Sequence, residues 1–454
     1  MSLNLISKIT ITQCPTTDYP SRSAVFVINA VNNVEIVSSW KNLTTTAKVT
    51  IPKNIYIQLS SGQVMSWVSQ PTYVSVSGNN NPPILLRGDK IQIELGYRFL
   101  NSSNVWVNQT NIEFSGWITK VNPKMPMVID CEDNMWILKQ AQCPNMVFPA
   151  SSYNVQSIIQ YLLKNPTVPT DTTSSTYLYL VNTIIPALKQ VNVFNGVGSS
   201  ANVETSVGDF RTVNDTICSV LMRLRRDYKL ECFFRTSLDS NLSPNGFNNL
   251  YCSGIVYYPG DYYDLQLGTY KTIAYGFQQN IIDNGASLEY LRKDDIRLGI
   301  KAYSVAKYDL TTTNSAGGKN TKNTRLEVIV GDKDGDMRTQ YFFPATNTSP
   351  DLNLANLTAL ANQRLNRLKF EGWHGSFLSF GLPYVQHGMA VSLNDNVNSG
   401  TFIANDKPVV MERQGIYLVR GTKVKFGMGG FRRTIELHLR LDNQFTATDI
   451  ANGL

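Results

Sequence analysis

Few residues in this chain have both the type and the spacing to do chemistry. Only three histidines occur in 454 residues. His374 and His387 lie in the glycine-rich segments GWHGS and QHGM, and His438 lies on the polar face of an alternating strand. Metal cages and triads need convergent ligands at recognisable spacing, and these positions do not provide it. Asp332-Lys333-Asp334-Gly335-Asp336 sets three carboxylates at alternate positions, as a calcium loop does. Its glycine is fourth and not sixth, however, and Phe343 occupies the place of the bidentate glutamate. Asp334-Gly335 between LEVIV and RTQYFF instead predicts a hairpin turn. Asp130, Glu132 and Asp133 in VIDCEDNMW offer the carboxylate pair of a glycosidase. Alternation puts Asp130 and Glu132 on one face and Ile129 and Cys131 on the other, which predicts an exposed rim. Arg87-Gly88-Asp89 spells an adhesion tripeptide but leads straight into an alternating strand, so it reads as a turn. SAGGKN at 315–320 lacks both the first glycine of a phosphate loop and the hydroxyl after its lysine, and predicts a hairpin tip. Cys14, Cys131, Cys143, Cys218, Cys232 and Cys252 form neither a CxxC pair nor a dense disulfide scaffold, and read as buried thiols. The expectation is of no catalytic, cofactor-binding or metal-binding residue.

The elements that would position such residues are mostly strands. Through the first 140 residues, Ala47, Val49 and Ile51 alternate with Lys48 and Thr50, and Ile91, Ile93 and Leu95 alternate with Gln92 and Glu94. Trp40, Trp67, Trp106, Trp117 and Trp136 fall in the same region, and GNNNPP at 78–83 marks a turn. From about 145 the period changes. Val155, Ile158, Ile159, Leu162 and Leu163 recur at helical spacing before Asn165-Pro166. A second helix is predicted over 212–227, with Thr212 and Asp215 at cap spacing and an apolar stripe of Val213, Ile217, Val220, Leu221 and Leu224. Beyond 280 alternation returns in Ile296, Leu298, Ile300 and Ala302, and in Leu326, Val328 and Val330. Ser349-Pro350 starts a helix striped by Leu354, Leu357, Ala361, Leu365 and Leu368 and stopped near Gly372. In the last strand Ile435, Leu437, Leu439 and Leu441 are expected to face inward, with Thr434, Glu436, His438 and Arg440 outward. The segmentation is a β-domain at 1–145, a mixed α/β middle domain at 146–280 and a second β-domain at 281–454. ILLRGDKIQIELGY at 84–97 and YVQHGMAVSLND at 384–395 form a short echo, each a glycine turn before an alternating strand.

Composition narrows the function classes. The net charge of +7, from 41 basic and 34 acidic residues, is spread along the chain, with only short pairs such as Arg225-Arg226 and Arg432-Arg433. That pattern argues against a nucleic-acid-binding tail. MSLNLISKITITQC has no basic start followed by an apolar core, and no run of about 18 apolar residues occurs, so synthesis and folding in a cytoplasm are expected.

An ordered series of segments carries a resemblance. FSGWITKVNPKMPMVIDCEDNMWILKQ at 114–140 resembles a stretch of the baseplate or tail hub proteins of tailed phages, the late-control D-like group. NLTTTAKVTIPKNI at 42–55, LRGDKIQIELGY at 86–97, TVNDTICSVLMRLRRDYKLECFFR at 212–235, SLEYLRKDDIRLGIKAYS at 287–304 and GFRRTIELHLRL at 430–441 are similar in the same order. The resemblance implies a mainly β fold with α+β parts: two similar tube-forming antiparallel β-barrel domains and a mixed α/β middle domain. It also implies a homotrimeric ring of pseudo-sixfold symmetry in a virion tail. Such a hub joins the hexameric tail tube, or a distal tail protein, to the trimeric spike. Its channel passes DNA or a tape-measure protein, and the N-terminal part of type VI secretion spikes shares the fold. No enzymatic activity and no cofactor are implied. On that expectation the strands at 90–95, 114–121, 422–427 and 433–441 form the tube wall, and the helix at 352–370 covers one sheet. The polar segment 165–211 has no counterpart in the family pattern. The alternative is a carbohydrate-binding or cell-wall-degrading β-protein of phage origin, suggested by the tryptophan-rich sheets and the carboxylates at 130–133. A nucleic-acid-binding protein comes third.

Overall fold

Where polar and apolar residues alternate, one strand face is buried and the other solvated, and strands of this kind dominate the molecule. The computed structural model describes residues 3–59, 61–68, 83–122, 125–149, 152–194, 210–228, 231–235, 249–253, 263–264, 269–270, 272–276, 279–282, 287–313, 319–342, 350–394, 401–404, 407–410 and 415–441. Its main element is a single 15-stranded sheet. The path begins with Leu288–Leu291, Gly372–Phe380, Gly430–Arg440 and Gly415–Gly427, and crosses to Asn33–Ser39, Thr46–Ile51, Met127–Glu132 and Trp106–Asn122. It ends with Lys90–Leu100, Leu3–Thr12, Val25–Ile28, Asn54–Leu59 and Val64–Val68. All four segments expected to form a wall, 90–95, 114–121, 422–427 and 433–441, lie in this sheet, the last of them as far as Arg440.

The sheet joins the two ends of the chain. Gly415–Gly427 pairs antiparallel with Asn33–Ser39 in seven-residue register, from Gly421 opposite Ser39 to Gly427 opposite Asn33. The hairpin 415–440 therefore serves two cores. Val424, Phe426 and Phe431 pack with Ile9, Ile93 and Phe114 of the first region, while Tyr417, Leu418, Ile435 and Leu437 pack with Trp40, Tyr275 and Phe377. Bulges at Tyr417/Val419 and Val419/Gly421 allow the turn between them. Gly381 is required at this crossing, because a Cβ there would stand 2.2 Å from the Phe431 ring.

Between the cores lies a mixed α/β layer. Helices Met135–Gln140, Val155–Lys164 and Ile217–Tyr228 pack around Ile158, Leu162, Ile217 and Leu221, beside a small sheet of Asn192–Phe194, Asn249–Ser253 and Glu231–Phe234. The Asn154 side chain and Ser157 form a capping box on the helix at 155–164. The next helix differs from the expected one. Thr212 ends a short strand and is fully buried, with its hydroxyl donating to Pro144 O at 2.7 Å. The cap is Thr216, whose Oγ1 accepts from Ser219 N, and Val213 is exposed ahead of the helix. Among the described residues no helix is long and apolar enough to cross a membrane.

Two other expectations are corrected. Asp332–Asp336 is not a hairpin turn, because Lys319–Gly331 and Asp336–Tyr341 flank opposite sides of Leu298–Thr313, the second of them in parallel. Asp332 instead folds the chain across the end of that central strand, held by Arg297 Nε at 2.7 Å. The helix Pro350–Leu368 covers this three-stranded sheet through Leu357, Ala361 and Leu365, while Leu354 is exposed. Residues 315–318 of the expected hairpin tip lie outside the described residues. Arg440 does not face solvent. It is buried, with Gly372, Gly415 and Tyr417 crowded around it.

The short echo is a repeated piece of structure at an offset of 300 residues. Gly88 N donates to Ile118 O at 2.8 Å, and Ile118 N returns a bond to Asp89 O at 2.8 Å. Gly388 N donates to Val419 O at 2.7 Å, and Val419 N returns a bond to Met389 O at 2.8 Å. Both glycines have positive φ, +92° and +78°, which only glycine adopts without steric cost. Each turn is followed by the same pairing, Lys90 with Trp117 and Ala390 with Leu418.

Candidate functional site

A guanidinium buried among backbone carbonyls is costly unless every N–H finds an acceptor and the charge finds a partner. The lead-in to each repeated turn is built on one. Arg22, from the loop before Val25–Ile28, donates to Pro83 O at 3.1 Å, to Ile84 O at 3.3 Å and to Cys14 O at 3.0 Å. Its charge meets both Asp89 oxygens, at 2.8 and 2.7 Å. Arg433 plays the same part for the second turn, donating to Gly381 O at 2.8 Å and to Val385 O at 2.8 Å. Its carboxylate partner is Glu113 at 2.6 Å, 320 residues away in sequence. Glu113 is the extra residue of a bulge between Ile112 and Phe114, and the bulge turns its side chain toward the sheet crossing. Burial pushes the Glu113 carboxyl up, opposed by the Arg433 charge.

Around Glu113 and Arg433 lies a cavity of about 40 Å³, also lined by Asp133, Arg235 and His387. Its size suits water molecules and not an organic ligand. Asp133 accepts from Thr45 N at 2.8 Å and Met135 N at 2.9 Å, yet burial pushes its carboxyl up to about 7. Burial and then the Arg235 charge press His387 down to about 3. Its Nε2 carries the proton donated to Phe234 O at 3.1 Å. Arg235 Nη1 reaches Gly388 O at 3.0 Å and so ties the middle layer to the second turn.

The residues singled out in the sequence do not converge on one site. Asp130 faces Lys48 at 4.0 Å and Glu132 faces Lys139 at 2.5 Å, each partly exposed, whereas Asp133 turns inward. Asp89 of the Arg87-Gly88-Asp89 turn is fully buried, so its carboxylate is internal structure and not a displayed ligand. His374 stacks on Phe370 at 4.0 Å. His438 lies edge-on to Trp40 at 5.1 Å, and its Nδ1 accepts from Arg420 at 2.8 Å. Trp40, Trp117 and Trp136 are buried, and the latter two stack at 5.4 Å where the first sheet meets the middle layer. Sequence reasoning missed both arginine clamps. Arg433 nonetheless has the same parity as Ile435, Leu437 and Leu439, so strict alternation already placed it inward.

No family model and no curated protein matches the chain. Among solved structures, the tail protein from Neisseria meningitidis MC58 is similar at 11% identity, with a TM-score of 0.50 and 99% of each chain covered. The chain has the fold of a tail protein. The 43 kDa tail protein of prophage MuSo2 from Shewanella oneidensis is similar at 9% identity, with a TM-score of 0.47, covering 96% of this chain and 98% of that one.

Several exposed apolar groups lie at the ends and edge of the large sheet. Leu3 and Leu5 project on one strand end beside Val105 and Trp106 at the tip of the adjoining hairpin. Tyr56 and Val64 lie on the last two strands, and Met428 is fully exposed at the tip of the hairpin 415–440. Scattered apolar side chains are normal on a protein surface, but sheet ends and edges are also where strands of another chain can add.

Proposed function

We propose that the chain is the structural hub of a phage tail or baseplate and not an enzyme. Three copies form a ring of pseudo-sixfold symmetry that joins the hexameric tail tube to the trimeric spike and lines the channel for DNA ejection. The observation that carries this reading is the repeated turn-and-strand unit, Pro83–Ile93 and Pro383–Leu393, built into one continuous sheet. With two such units per chain, a threefold ring presents six similar wall elements. The fold shared with the Neisseria tail protein over 99% of both chains supports the same reading. In it, residues 1–145 and 281–454 supply the wall units and 146–280 the layer that braces them. The partners are a tail tube or distal tail protein and a spike, with a tape-measure protein or DNA only in transit, in a virion tail.

The carbohydrate alternative draws little from the geometry, because Trp40, Trp117 and Trp136 are core residues and Asp130 and Glu132 each face a lysine. The test is assembly. The full chain is mixed with a tail-tube protein and a spike protein and imaged by electron microscopy, and three-copy rings with an open centre are expected. Isolated chains in every mixture, together with cell-wall clearing lost in Glu132→Gln, would replace this reading with the enzymatic one.

A further inference from the structure

The middle layer holds two thiols that face each other across a strand pair. Cys232 and Cys252 are register partners in the antiparallel ribbon of Glu231–Phe234 and Asn249–Ser253. Both are buried, and their sulfurs approach to 2.9 Å. Opposed residues on antiparallel strands hold their Cα atoms about 4.5–5.5 Å apart, within the roughly 4.4–6.8 Å that a disulfide spans. A separation of 20 residues with no motif gives no hint of this in the sequence.

The position of the ribbon gives such a bond a consequence. Cys232, Phe234, Leu250 and Cys252 pack into the core of the middle layer, whereas Phe233 and Tyr251, on the other face, pack into the C-terminal core. The ribbon is thus a wall shared by two cores, and Arg235 extends from it to the second turn.

We propose that Cys232 and Cys252 form a disulfide when the chain meets a small-molecule disulfide, and that the bond locks this shared wall in register. One cysteine thiolate attacks a sulfur of the small disulfide, breaking its S–S bond and releasing one thiol. The second cysteine then attacks the mixed disulfide and releases the other thiol. Two cysteine S–H groups are oxidised to one S–S bond, the small disulfide is reduced to two thiols, and the two protons pass to those thiols. The thiolate is the attacking species, and burial holds the Cys232 thiol well above its usual range. Exchange therefore runs through an opened ribbon, and the finished bond is shielded from reductants while the ribbon is closed. This inference stands apart from the assembly reading, since it needs only the fold of one chain.

The experiment uses the full chain incubated with glutathione disulfide in guanidinium below its unfolding midpoint, where the ribbon opens and the fold persists. Alkylation in denaturant then counts thiols, and non-reducing peptide mapping locates the link. Of six cysteines, two are expected in one crosslink between Cys232 and Cys252, leaving four to alkylate. Cys232→Ala and Cys252→Ala should each leave five alkylated thiols and no crosslink, while Cys14→Ala keeps the crosslink. Dithiothreitol should open the bond at least about tenfold more slowly in native buffer than in denaturant. Six free thiols in the incubated chain, or a link through any other cysteine, overturns the proposal, and equal reduction rates in the two buffers overturn the shielding.

Discussion

Residues 86–93 and 386–393 make the same turn and strand pairing, and the side chains that hold the two turns differ in chemistry. In the first, the Asp89 carboxylate accepts from Leu86 N at 2.7 Å, from Cys14 N at 2.9 Å and from Arg22. In the second, the Met389 thioether takes the equivalent place, 3.3 Å from Gln386 N, and packs in the C-terminal core. Both lead-ins rest on a buried arginine, but Arg22 finds its carboxylate in the turn itself, whereas Arg433 finds Glu113 on a strand of the other region. The turn is therefore specified by its glycine and its backbone bonds. The filling is specified by what each copy must hold: the chain's N-terminal loop in one case, the junction between regions in the other.

That contrast breaks first at the arginines. Arg22→Ala and Arg433→Ala each leave a buried carboxylate without its cation and should cost about 3–5 kcal/mol in denaturant unfolding. Arg22→Met with Asp89→Leu should cost less than the sum of the two single changes, since no charge is then stranded, although Leu86 N and Cys14 N lose their acceptor. Single-mutant costs that simply add would mean the two groups do not act as a pair.

Next come the titrating groups of the junction. The Asp133 carboxyl sits at about 7 in the fold, above roughly 3.9 unfolded. Its stabilising contribution is complete below about pH 4 and is lost as the pH rises through 7. His387 sits at about 3, below roughly 6.5 unfolded, so its contribution is complete above about pH 6.5 and is lost as the pH falls toward 3. Between about pH 4 and 6.5 the two slopes oppose each other. Asp133→Asn should therefore unmask stability that rises with pH by about 1.4 kcal/mol per unit, and His387→Gln the reverse. Unchanged pH profiles in both variants would contradict the assignment.

Smaller effects test the shared backbone. Gly88→Ala and Gly388→Ala should each cost about 1–2 kcal/mol through positive φ, with Gly88→Ala the larger because its Cβ meets the Tyr179 hydroxyl at 2.9 Å. Met389→Leu, a change of shape within an apolar core, should cost about 1 kcal/mol or less.

Much of this organisation was legible because alternation reports burial directly. Ile91, Ile93, Ile435 and Leu437 all face a core as their period requires. Arg433 has the inward parity of Ile435 and was not singled out, whereas alternation placed Arg440 outward and the packing of Gly372, Gly415 and Tyr417 around it decides otherwise. Glu113 was illegible for a different reason: a bulge adds one residue and resets the parity of the strand. Thr212 lost the capping role to Thr216 because a four-residue shift of the helix start removes only Val213 from the apolar stripe. The 332–336 turn looked like a hairpin because local sequence reports the tight turn and says nothing of the third strand that separates its arms. The pairing of Asn33–Ser39 with Gly415–Gly427 is set by packing between residues almost 400 apart in sequence, which no local pattern encodes.

In the proposed assembly the repeated units build a shared wall when three chains meet. The direct measurement is electron microscopy of the full chain mixed with a tail-tube protein and a spike protein, with native mass determination of the same sample. A three-copy ring whose wall shows six similar elements around an open channel is expected. Single chains by mass, with no ring beside either partner, would contradict it.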